Sequence, residues 1–395
     1  MSTHDFDRLI DRRGTNSYKW DDCESDVIPM WVADMDFATA PAIIEALQRR
    51  VEHGIFGYTL VPDGYYQAFI DWFERRHGWP IEREWIQYTS GVVPALSVIV
   101  KALTRPGDRV IVQTPVYNCF YSSIRNNGCE VAVSPLKRVE LDDNLFTYQV
   151  DEENLEHVAS DPRSKLMIVC NPHNPAGRVW TPDELERVNE ICRRNGVRVV
   201  SDEIHCELVM SGHTFTPMAA VSRSCQDNVI TCNSPSKSFN TAGLQIANII
   251  CNDAYTRARI DRAININEVC DVNPFGVIAL QAAYTAGEEW LTDLCAYIEG
   301  NYRALLDFMR HRLPHLPVSK LEGTYLPWID ISALDMGADA LALLLLQQGR
   351  VQVNAGTMYD PTPDGEHYIR LNIACPRDRM MEGLERKARV IDNLL

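Results

Sequence analysis

The residues around Lys237 point to a particular chemistry. This lysine lies in the string SPSKSFN, residues 234–240, where the hydroxyl groups of Ser234 and Ser236 precede the amine. A lysine amine is a poor nucleophile while it is protonated, but burial beside other cations lowers its pKa and lets it form a Schiff base with a carbonyl. The serines can bind phosphate. The same pattern occurs on solvated loops and at helix starts, so the rest of the chain must decide.

Candidate residues also follow two apolar runs in the first half of the chain. In a parallel α/β sheet, ligands bind beyond the carboxyl ends of the strands, so the residues after each run are candidates for a site. Gly91 and Val92 lie in a glycine turn that opens a helix, and its free N–H groups suit a phosphate. A plain strand-to-helix turn is the commoner alternative. Tyr117 offers an aromatic face for stacking, although a core position is the more usual role of such a residue.

Three polar residues complete the set of candidates. Asn174 lies in NPHNPAG, residues 171–177, where two Asn-Pro steps hold the backbone extended and place an amide at the sheet edge, or only make a turn. Asp202 ends a strand, where its carboxylate could pair with a protonated ring nitrogen or cap a helix. Arg370 lies in an otherwise apolar strand. Its guanidinium could bind a substrate carboxylate in bidentate fashion or form a salt bridge between domains.

The elements that must position these residues alternate between strand and helix. Short apolar runs predict buried strands at residues 85–89, 109–114, 165–170, 197–201, 228–232 and 245–251. The clearest helix begins after Thr181, with a proline in its first turn and Glu184 completing a capping box. This alternation predicts an α/β protein with a mostly parallel sheet that is flanked by helices.

The pattern changes beyond about residue 285, where longer amphipathic helices are predicted at residues 288–313 and 338–348. Paired strands are predicted near residues 351–354 and 368–373. We therefore expect a large domain over residues 46–285 and a smaller α+β domain over residues 286–395. The first 45 residues have little periodicity of their own, and we expect them to pack on the small domain or on a partner subunit.

Composition excludes several other classes of protein. The chain has 395 residues, of which 46 % are hydrophobic and 23 % charged, as in soluble globular proteins. The net charge is −16 and Lys and Arg form no cluster, which argues against a nucleic acid or an anionic membrane as partner. The 12 cysteines include no C-x-x-C pair, so no metal site is expected. The first residues lack the apolar core of a secretory signal, and we expect a cytoplasmic protein.

The phosphate turn, the aromatic residue, the asparagine, the aspartate and the lysine occur in the order typical of one enzyme family. Over essentially its whole length the chain resembles the fold-type I pyridoxal-phosphate (PLP) enzymes of the class I/II aminotransferase superfamily. Within it, the strings MWVADMDF (30–37), GYT (57–59), NPHNPAGRVWT (171–181) and SDEIH (201–205) resemble the cystathionine β-lyase branch known as the MalY/PatB type. The resemblance implies PLP as cofactor and a seven-stranded type of sheet.

The resemblance also implies which residues bind the cofactor. Those expected to hold its phosphate are Gly91, Val92, Ser234 and Ser236. Asp202 would pair with the pyridine nitrogen, Tyr117 would stack on the ring, and Asn174 would bond the ring hydroxyl oxygen. Lys237 would form the Schiff base and, once released from it, act as the general base that removes the Cα proton of the substrate.

Contacts to the substrate are implied by the same resemblance. The residues expected to make them are Ala33, Tyr58, Asn174 and Arg370. Arg370 would bind the carboxylate of the substrate. Tyr58 would reach the active site of the neighbouring subunit in a homodimer, and Tyr58 and Tyr117 would join Lys237 as catalytic residues.

Two positions depart from the pattern of many relatives. His205 stands where many have a tyrosine that serves the ring hydroxyl, and Gln245 stands where many have a basic residue that serves the phosphate. The MalY/PatB type shares both features, so they sharpen the assignment. We expect His205 to be neutral and to lie at the cofactor or just behind it.

Two reactions share the first steps of this chemistry. The cofactor supplies the electron sink, and the protein decides which bond breaks. The leading hypothesis is β-elimination from cystathionine or a related cysteine S-conjugate, which releases a thiol (homocysteine from cystathionine), pyruvate and ammonia. An aminotransferase is the alternative, because the motifs do not choose between elimination and transamination. A cofactor-bearing protein whose output is the binding of a regulator is a further alternative.

Overall fold

The computed structural model describes residues 4–142, 144–266, 268 and 270–394. Its strands are β1 Ile28–Pro29, β2 Ile86–Thr89, β3 Arg109–Val112, β4 Glu130–Val133, β5 Lys137–Glu140, β6 Leu145–Gln149, β7 Ser164–Cys170, β8 Arg198–Asp202, β9 Val229–Asn233, β10 Ala247–Ile250, β11 Val318–Ser319, β12 Trp328–Asp330, β13 Val351–Gln352, β14 Asn354–Ala355 and β15 Tyr368–Arg370. Its helices are α1 Pro41–His53, α2 Asp63–His77, α3 Val92–Leu103, α4 Cys119–Arg125, α5 Glu152–Ala159, α6 Pro182–Arg194, α7 Arg223–Asn228, α8 Ala254–Asn265, α9 Pro274–Ala286, α10 Glu288–Arg312, α11 Ala338–Leu344 and α12 Arg377–Asp392. Residues 1–3 and 395, which belong to the first and last predicted segments, lie outside the described residues.

The larger sheet has seven strands in the order β2-β10-β9-β8-β7-β3-β4. Neighbouring strands run parallel, except that β10 is antiparallel to both β2 and β9. All the strands that the sequence predicts between residues 85 and 251 are present, with ends shifted by at most two residues. The predicted α/β fold with a mostly parallel sheet is therefore confirmed.

The strands of this sheet are apolar because both of their faces are covered. In β3, Val110 and Val112 pack in a core with Leu96 of α3, whereas Ile111 packs in the core on the opposite face. Side chains of a strand alternate between faces, so each run needs apolar residues at successive positions. The edge strand β4 has partly exposed positions and no such run, which explains why the sequence did not signal it.

Local signals place the ends of several helices correctly. The Thr181 side chain accepts a bond from the N–H of Glu184, whose carboxylate accepts one from the N–H of Thr181, so the predicted capping box of α6 is present. Helix α10 covers the predicted range 288–313 except for its last residue. Helix α11 ends at Leu344, and residues 345–349 continue it as a wider π-type turn.

A second sheet has six strands in the order β14-β15-β12-β11-β6-β5. Its strands β5 and β6 come from residues 137–149, in the middle of the range predicted for the large domain. The N-terminal strand β1 pairs with β13, so the first segment contacts the C-terminal part of the chain. The domain limits themselves stay a prediction.

The described helices were also compared with the length and hydropathy that a bilayer demands. None of those in residues 4–142, 144–266 or 270–394 is both long enough and apolar enough to cross a membrane. The cytoplasmic location stays a prediction.

Candidate active site

Loops at one edge of the larger sheet bring most of the candidate residues together. They follow β2, β3, β7, β8 and β9, whose carboxyl ends meet there. Because β10 runs in the opposite direction, Gln245 and Ile246, which precede it, lie at the same edge. A cavity of about 300 Å³ opens at this edge. The predicted site residues that line it are Ala33, Gly91, Val92, Tyr117, Asn174, Asp202, His205, Ser234, Ser236 and Lys237.

The amine of Lys237 lies inside this cavity. Its Nζ donates a hydrogen bond to the carbonyl oxygen of Ala33 at 2.6 Å. Burial lowers the pKa of Lys237 below its ordinary value, although the nearby carboxylate of Asp34 acts in the opposite direction. The amine therefore loses its proton more readily than a lysine amine in water, as a nucleophile or general base requires.

Asp202 ends β8 with its carboxyl group in the same cavity. The side chain is buried, and Oδ1 accepts a hydrogen bond from the N–H of Ile204 at 3.1 Å. Burial raises the pKa of Asp202 to about 7, while that hydrogen bond and the charge of Lys237 act against the increase. A buried carboxyl group in this state gains stability when a cation faces it, so the position suits a protonated ring nitrogen.

The first turn of α3 also lines the cavity. Gly91 is its N-cap, and no side chain in the described part of the molecule caps the helix, so its first N–H groups are open to a ligand. Together with the helix dipole they suit a phosphate. Ser234 lies opposite, but its Oγ donates to Ile246 O at 2.7 Å and accepts from the N–H of Ser236 at 3.1 Å.

Arg370 approaches the cavity from the smaller sheet. Its Nη1 donates to Asn174 Oδ1 at 3.0 Å, its Nη2 donates to Trp31 O at 2.7 Å, and its guanidinium lies 4.6 Å above the ring of Tyr359. Its Nε is buried and has no hydrogen-bond partner among the described residues. A buried guanidinium with an unused donor is a site for an anion such as a carboxylate.

His205 lies deep in the same cavity. Burial, reinforced by the charges of Lys237 and Arg370, lowers its pKa well below the ordinary value, so the imidazole is neutral. Its Nδ1 is buried without a hydrogen-bond partner in the described residues. An unpaired buried nitrogen that borders a cavity is a position where a ligand can supply the missing partner. Whether His205 touches a cofactor stays a prediction.

Tyr58 is a predicted site residue that does not line this cavity. Its side chain is 99 % exposed, in the segment that joins α1 to α2. Three neighbours in this segment, Ile55, Phe56 and Leu60, are also more than half exposed. An exposed apolar segment of this kind is typical of a protein–protein contact. The role of Tyr58 in a neighbouring subunit stays a prediction.

The sequence analysis did not identify two residues that hold this cavity together. Asn240 accepts from the N–H of Met35 at 3.0 Å and donates to Met35 O and Phe37 O, so it fixes the chain beside Ala33. A polar residue so soon after Lys237 could have been read as a signal. Tyr325 donates to Ala33 O at 3.0 Å from far along the chain, and no local pattern indicates this contact.

A group of potential metal ligands lies outside the cavity. One ligand atom each of His77, Cys206 and Glu207 can be chosen so that all lie within 4.8 Å of one another. The Glu207 carboxylate, however, already accepts bonds from Trp72 Nε1 at 2.7 Å, Arg76 Nε at 2.8 Å and His77 Nε2 at 2.8 Å. We interpret the group as a structural network, because the Arg76 cation already balances the carboxylate. The prediction that no metal is bound stays a prediction.

Comparisons with known proteins agree with this geometry. Residues 25–386 match the family model described as aminotransferase class I and II. The chain is 42 % identical to cystathionine beta-lyase PatB of Bacillus subtilis (strain 168), over 96 % of this chain and 98 % of that protein. It is 34 % identical to protein MalY of Escherichia coli (strain K12), over 96 % and 97 % of the two chains.

A solved structure gives the same result for the fold. Cystalysin from Treponema denticola, which contains a pyridoxal 5'-phosphate cofactor, superposes with a TM-score of 0.94 at 32 % identity, over 99 % of this chain and all of that one. The family resemblance inferred from the motifs is thus confirmed along nearly the whole sequence. The chain belongs to the aminotransferase class I and II family.

Proposed function

We propose that this protein is a PLP-dependent carbon–sulfur β-lyase that cleaves cystathionine or a related cysteine S-conjugate to a thiol, pyruvate and ammonia. The observation that carries the proposal is the meeting of the Lys237 amine, the Asp202 carboxyl group and the open first turn of α3 in one cavity. These groups supply an amine for an aldehyde, an anion for a ring nitrogen and N–H donors for a phosphate. Relatives named cystathionine beta-lyase favour elimination as the outcome.

The residues around the cavity fit PLP at both of its ends. The first-turn amides at Gly91 and Val92 and the Ser236 hydroxyl would hold the phosphate. The Ser234 hydroxyl would have to turn away from Ile246 O before it could donate to a phosphate, so we assign it a smaller part. With Gln245 in place of a cation, the phosphate would be held mainly by neutral donors.

The ring end of the cofactor would be held by four side chains. Asp202 would face the pyridine nitrogen and keep it protonated, because the pair stabilises both charges in a buried site. Tyr117 would cover one face of the ring, Asn174 would donate to the ring hydroxyl oxygen, and His205 would complete the wall. Asn174 is already oriented by its bond to Arg370, which links this end to the substrate carboxylate.

The chain's own residues bind the substrate and move its proton. PLP, when bound, supplies an electron sink that stabilises negative charge on the substrate. Arg370 binds the carboxylate, with Ala33 beside it, and so directs the Cα–H bond toward Lys237. The neutral amine of Lys237 accepts the Cα proton at Nζ. The Cβ–S bond then breaks, the thiolate leaves, and the remaining fragment takes up water to give pyruvate and ammonia.

The expected substrate range separates this reaction from transamination. Cystathionine and S-methylcysteine carry a sulfur leaving group on Cβ, so each should release pyruvate continuously when no 2-oxoacid is present. Alanine has no leaving group and should give none. Pyruvate is followed with a coupled lactate dehydrogenase assay. A protein that forms pyruvate from alanine, and needs a 2-oxoacid to continue, would be an aminotransferase instead.

We further propose that two copies of the chain form a homodimer in which Tyr58 reaches the partner's cavity. The support is the exposed apolar segment that contains Ile55, Phe56 and Leu60, together with the exposure of Tyr58 itself. Burying this segment against a second copy would remove its apolar surface from water. A symmetric contact of this kind gives each subunit the same additional residue.

Mixing two inactive variants tests this arrangement. Tyr58→Ala subunits keep Lys237, and Lys237→Ala subunits keep Tyr58, so each hybrid dimer contains one complete site. After denaturation and refolding together, about a quarter of wild-type activity should return, because half of the dimers are hybrids with one of two sites restored. Either variant refolded alone is the control. No recovery in mixtures that sedimentation velocity finds to be dimeric would contradict the role of Tyr58.

A further inference from the structure

The carbonyl oxygen of Ala33 is shared by two hydrogen-bond donors from distant parts of the chain. The Lys237 Nζ donates to it at 2.6 Å, and the hydroxyl of Tyr325 donates to it at 3.0 Å. A peptide carbonyl oxygen has two lone pairs, so these donors use its full capacity. The position of the lysine amine is thereby coupled to a tyrosine that lies just before β12.

Tyr325 is held firmly in this position. Its side chain is fully buried, and burial raises the pKa of its phenol far above the ordinary value, so the hydroxyl keeps its proton and can donate. Its ring meets the ring of His205 edge-on, with 6.0 Å between centroids. The preceding residue, Thr324, has a φ of 70°, an unfavourable conformation for a β-branched residue. Such a conformation persists only where the surroundings enforce it.

The segment around Ala33 is fixed on both sides of the shared carbonyl. Trp31 O accepts from Arg370 at 2.7 Å, and Asp34 O accepts from Asn372 at 2.6 Å. Residues 31–36 form neither helix nor strand, so these side chains replace the missing backbone partners. The Ala33 carbonyl therefore has little freedom to turn, and Tyr325 donates to it beside Lys237.

We propose that Tyr325 is a positioning residue for the proton transfer. Its hydroxyl holds the Ala33 carbonyl in the place where that oxygen accepts a hydrogen bond from the Lys237 amine. The inference rests on the proposed function. A neutral amine that donates one N–H to Ala33 O directs its lone pair elsewhere, toward the Cα–H of a bound amino acid. The proton leaves Cα, its bonding electrons stay on the substrate, and Nζ becomes an ammonium that still donates to Ala33 O.

Tyr325 also affects the charge state of the lysine. A carbonyl oxygen that already accepts from a hydroxyl is a weaker acceptor for an ammonium, so Tyr325 favours the neutral amine. Other groups around the amine act as well: Arg370 lowers the pKa of Lys237, whereas Asp34, Asp202 and Cys119 raise it. His205, neutral in this site, borders the same cavity. Loss of the hydroxyl alone should therefore raise the pKa of Lys237.

The test compares Tyr325→Phe with Tyr302→Phe in the full-length protein. Tyr302 is also buried and also donates to a backbone carbonyl, Ser319 O at 2.8 Å, but does not contact Ala33 or Lys237. In cofactor-free protein, acetylation of Lys237 is measured against pH by mass spectrometry. At pH 7, Lys237 of the Y325F variant should be acetylated about fivefold more slowly than that of wild type, which is the factor expected for one ordinary hydrogen bond. The acetylation rate of Lys237 in Y302F should equal that of wild type.

A second readout comes from the holoenzyme. The acidic limb of the kcat profile of Y325F should move to higher pH, while KM stays close to that of wild type. Unchanged acetylation in Y325F, or an equal decrease in Y302F, would overturn the proposal. If Y325F slows acetylation but wild type eliminates no thiol from any cysteine conjugate, the proposed function fails and the placement of the amine stands.

A further variant covers the case in which Y325F does not fold. Site-specific 3-fluorotyrosine at position 325 keeps the shape of the ring and makes the hydroxyl a stronger donor. Acetylation of Lys237 at pH 7 should then be faster than in wild type, because the ammonium is less favoured. An unchanged or slower rate would also overturn the proposal.

Discussion

We expect replacement of Lys237 with alanine to abolish turnover and to remove the visible absorbance of the lysine-bound cofactor. The change deletes the amine that we propose binds the aldehyde and takes the Cα proton, so we expect a loss of at least about 1000-fold in kcat. Activity on cystathionine and the absorbance spectrum of purified protein measure the two effects. The variant should fold, because Lys237 lines an open cavity and the alanine leaves no new void in the packed core.

Two further variants serve as controls for the Lys237→Ala variant. Lys237→Arg keeps the positive charge, but a guanidinium cannot lose its proton at ordinary pH, so it should be as inactive as the alanine variant. Lys165→Ala removes an exposed lysine that donates to Pro162 O and does not line the cavity, and it should behave as wild type. Substantial turnover by K237A would contradict the mechanism.

We expect the Asp202→Asn variant to keep its cofactor but to lose most of its activity. The amide has the size of the carboxylate without its charge, so a protonated ring nitrogen would face no anion in a buried site. Removing one partner of a buried ion pair costs about 3–5 kcal/mol, which corresponds to roughly a 200- to 5000-fold loss in kcat/KM. Steady-state kinetics with saturating PLP would measure it.

The adjacent residue provides the control for this variant. Glu203 is also fully buried, but it bonds to Ser201 Oγ and the N–H of Met218 and does not line the cavity. Burial raises its pKa to about 8, so its carboxyl group is mostly protonated at pH 7 and Glu203→Gln replaces one neutral group with another. The E203Q variant should stay active. Equal losses in D202N and E203Q would contradict a specific role for Asp202.

The larger sheet could be predicted because its strands have apolar residues on both faces. The same rule placed Asp202, Asn174 and Lys237 in one site, since residues that follow parallel strands meet at one edge. Edge strand β4 lacked the pattern. Strands β5 and β6 pair with each other, but they were missed as part of the smaller sheet, because β6 joins that sheet through β11, which lies far along the chain, and pairing across such a distance leaves no local signal.

Contacts that depend on tertiary structure also limit how much of the site could be predicted from the sequence. Tyr325 reaches Ala33 from 292 positions away in the sequence, and only the folded chain brings the two together. Tyr58, for which we propose a role in a neighbouring subunit, lies outside the cavity of its own chain. Gln245 could be identified from the sequence, but only the fold shows that it lines the same cavity as the uncapped first turn of α3.

We propose that the protein eliminates a thiol from Cβ of its substrate and does not transfer the amino group. The most direct measurement is the number of pyruvate molecules formed per bound PLP when cystathionine is the only substrate and no 2-oxoacid is present. We expect many pyruvate molecules per cofactor, with homocysteine and ammonia released in equal amounts. At most one 2-oxoacid molecule per cofactor, with further turnover only after a 2-oxoacid is added, would contradict it.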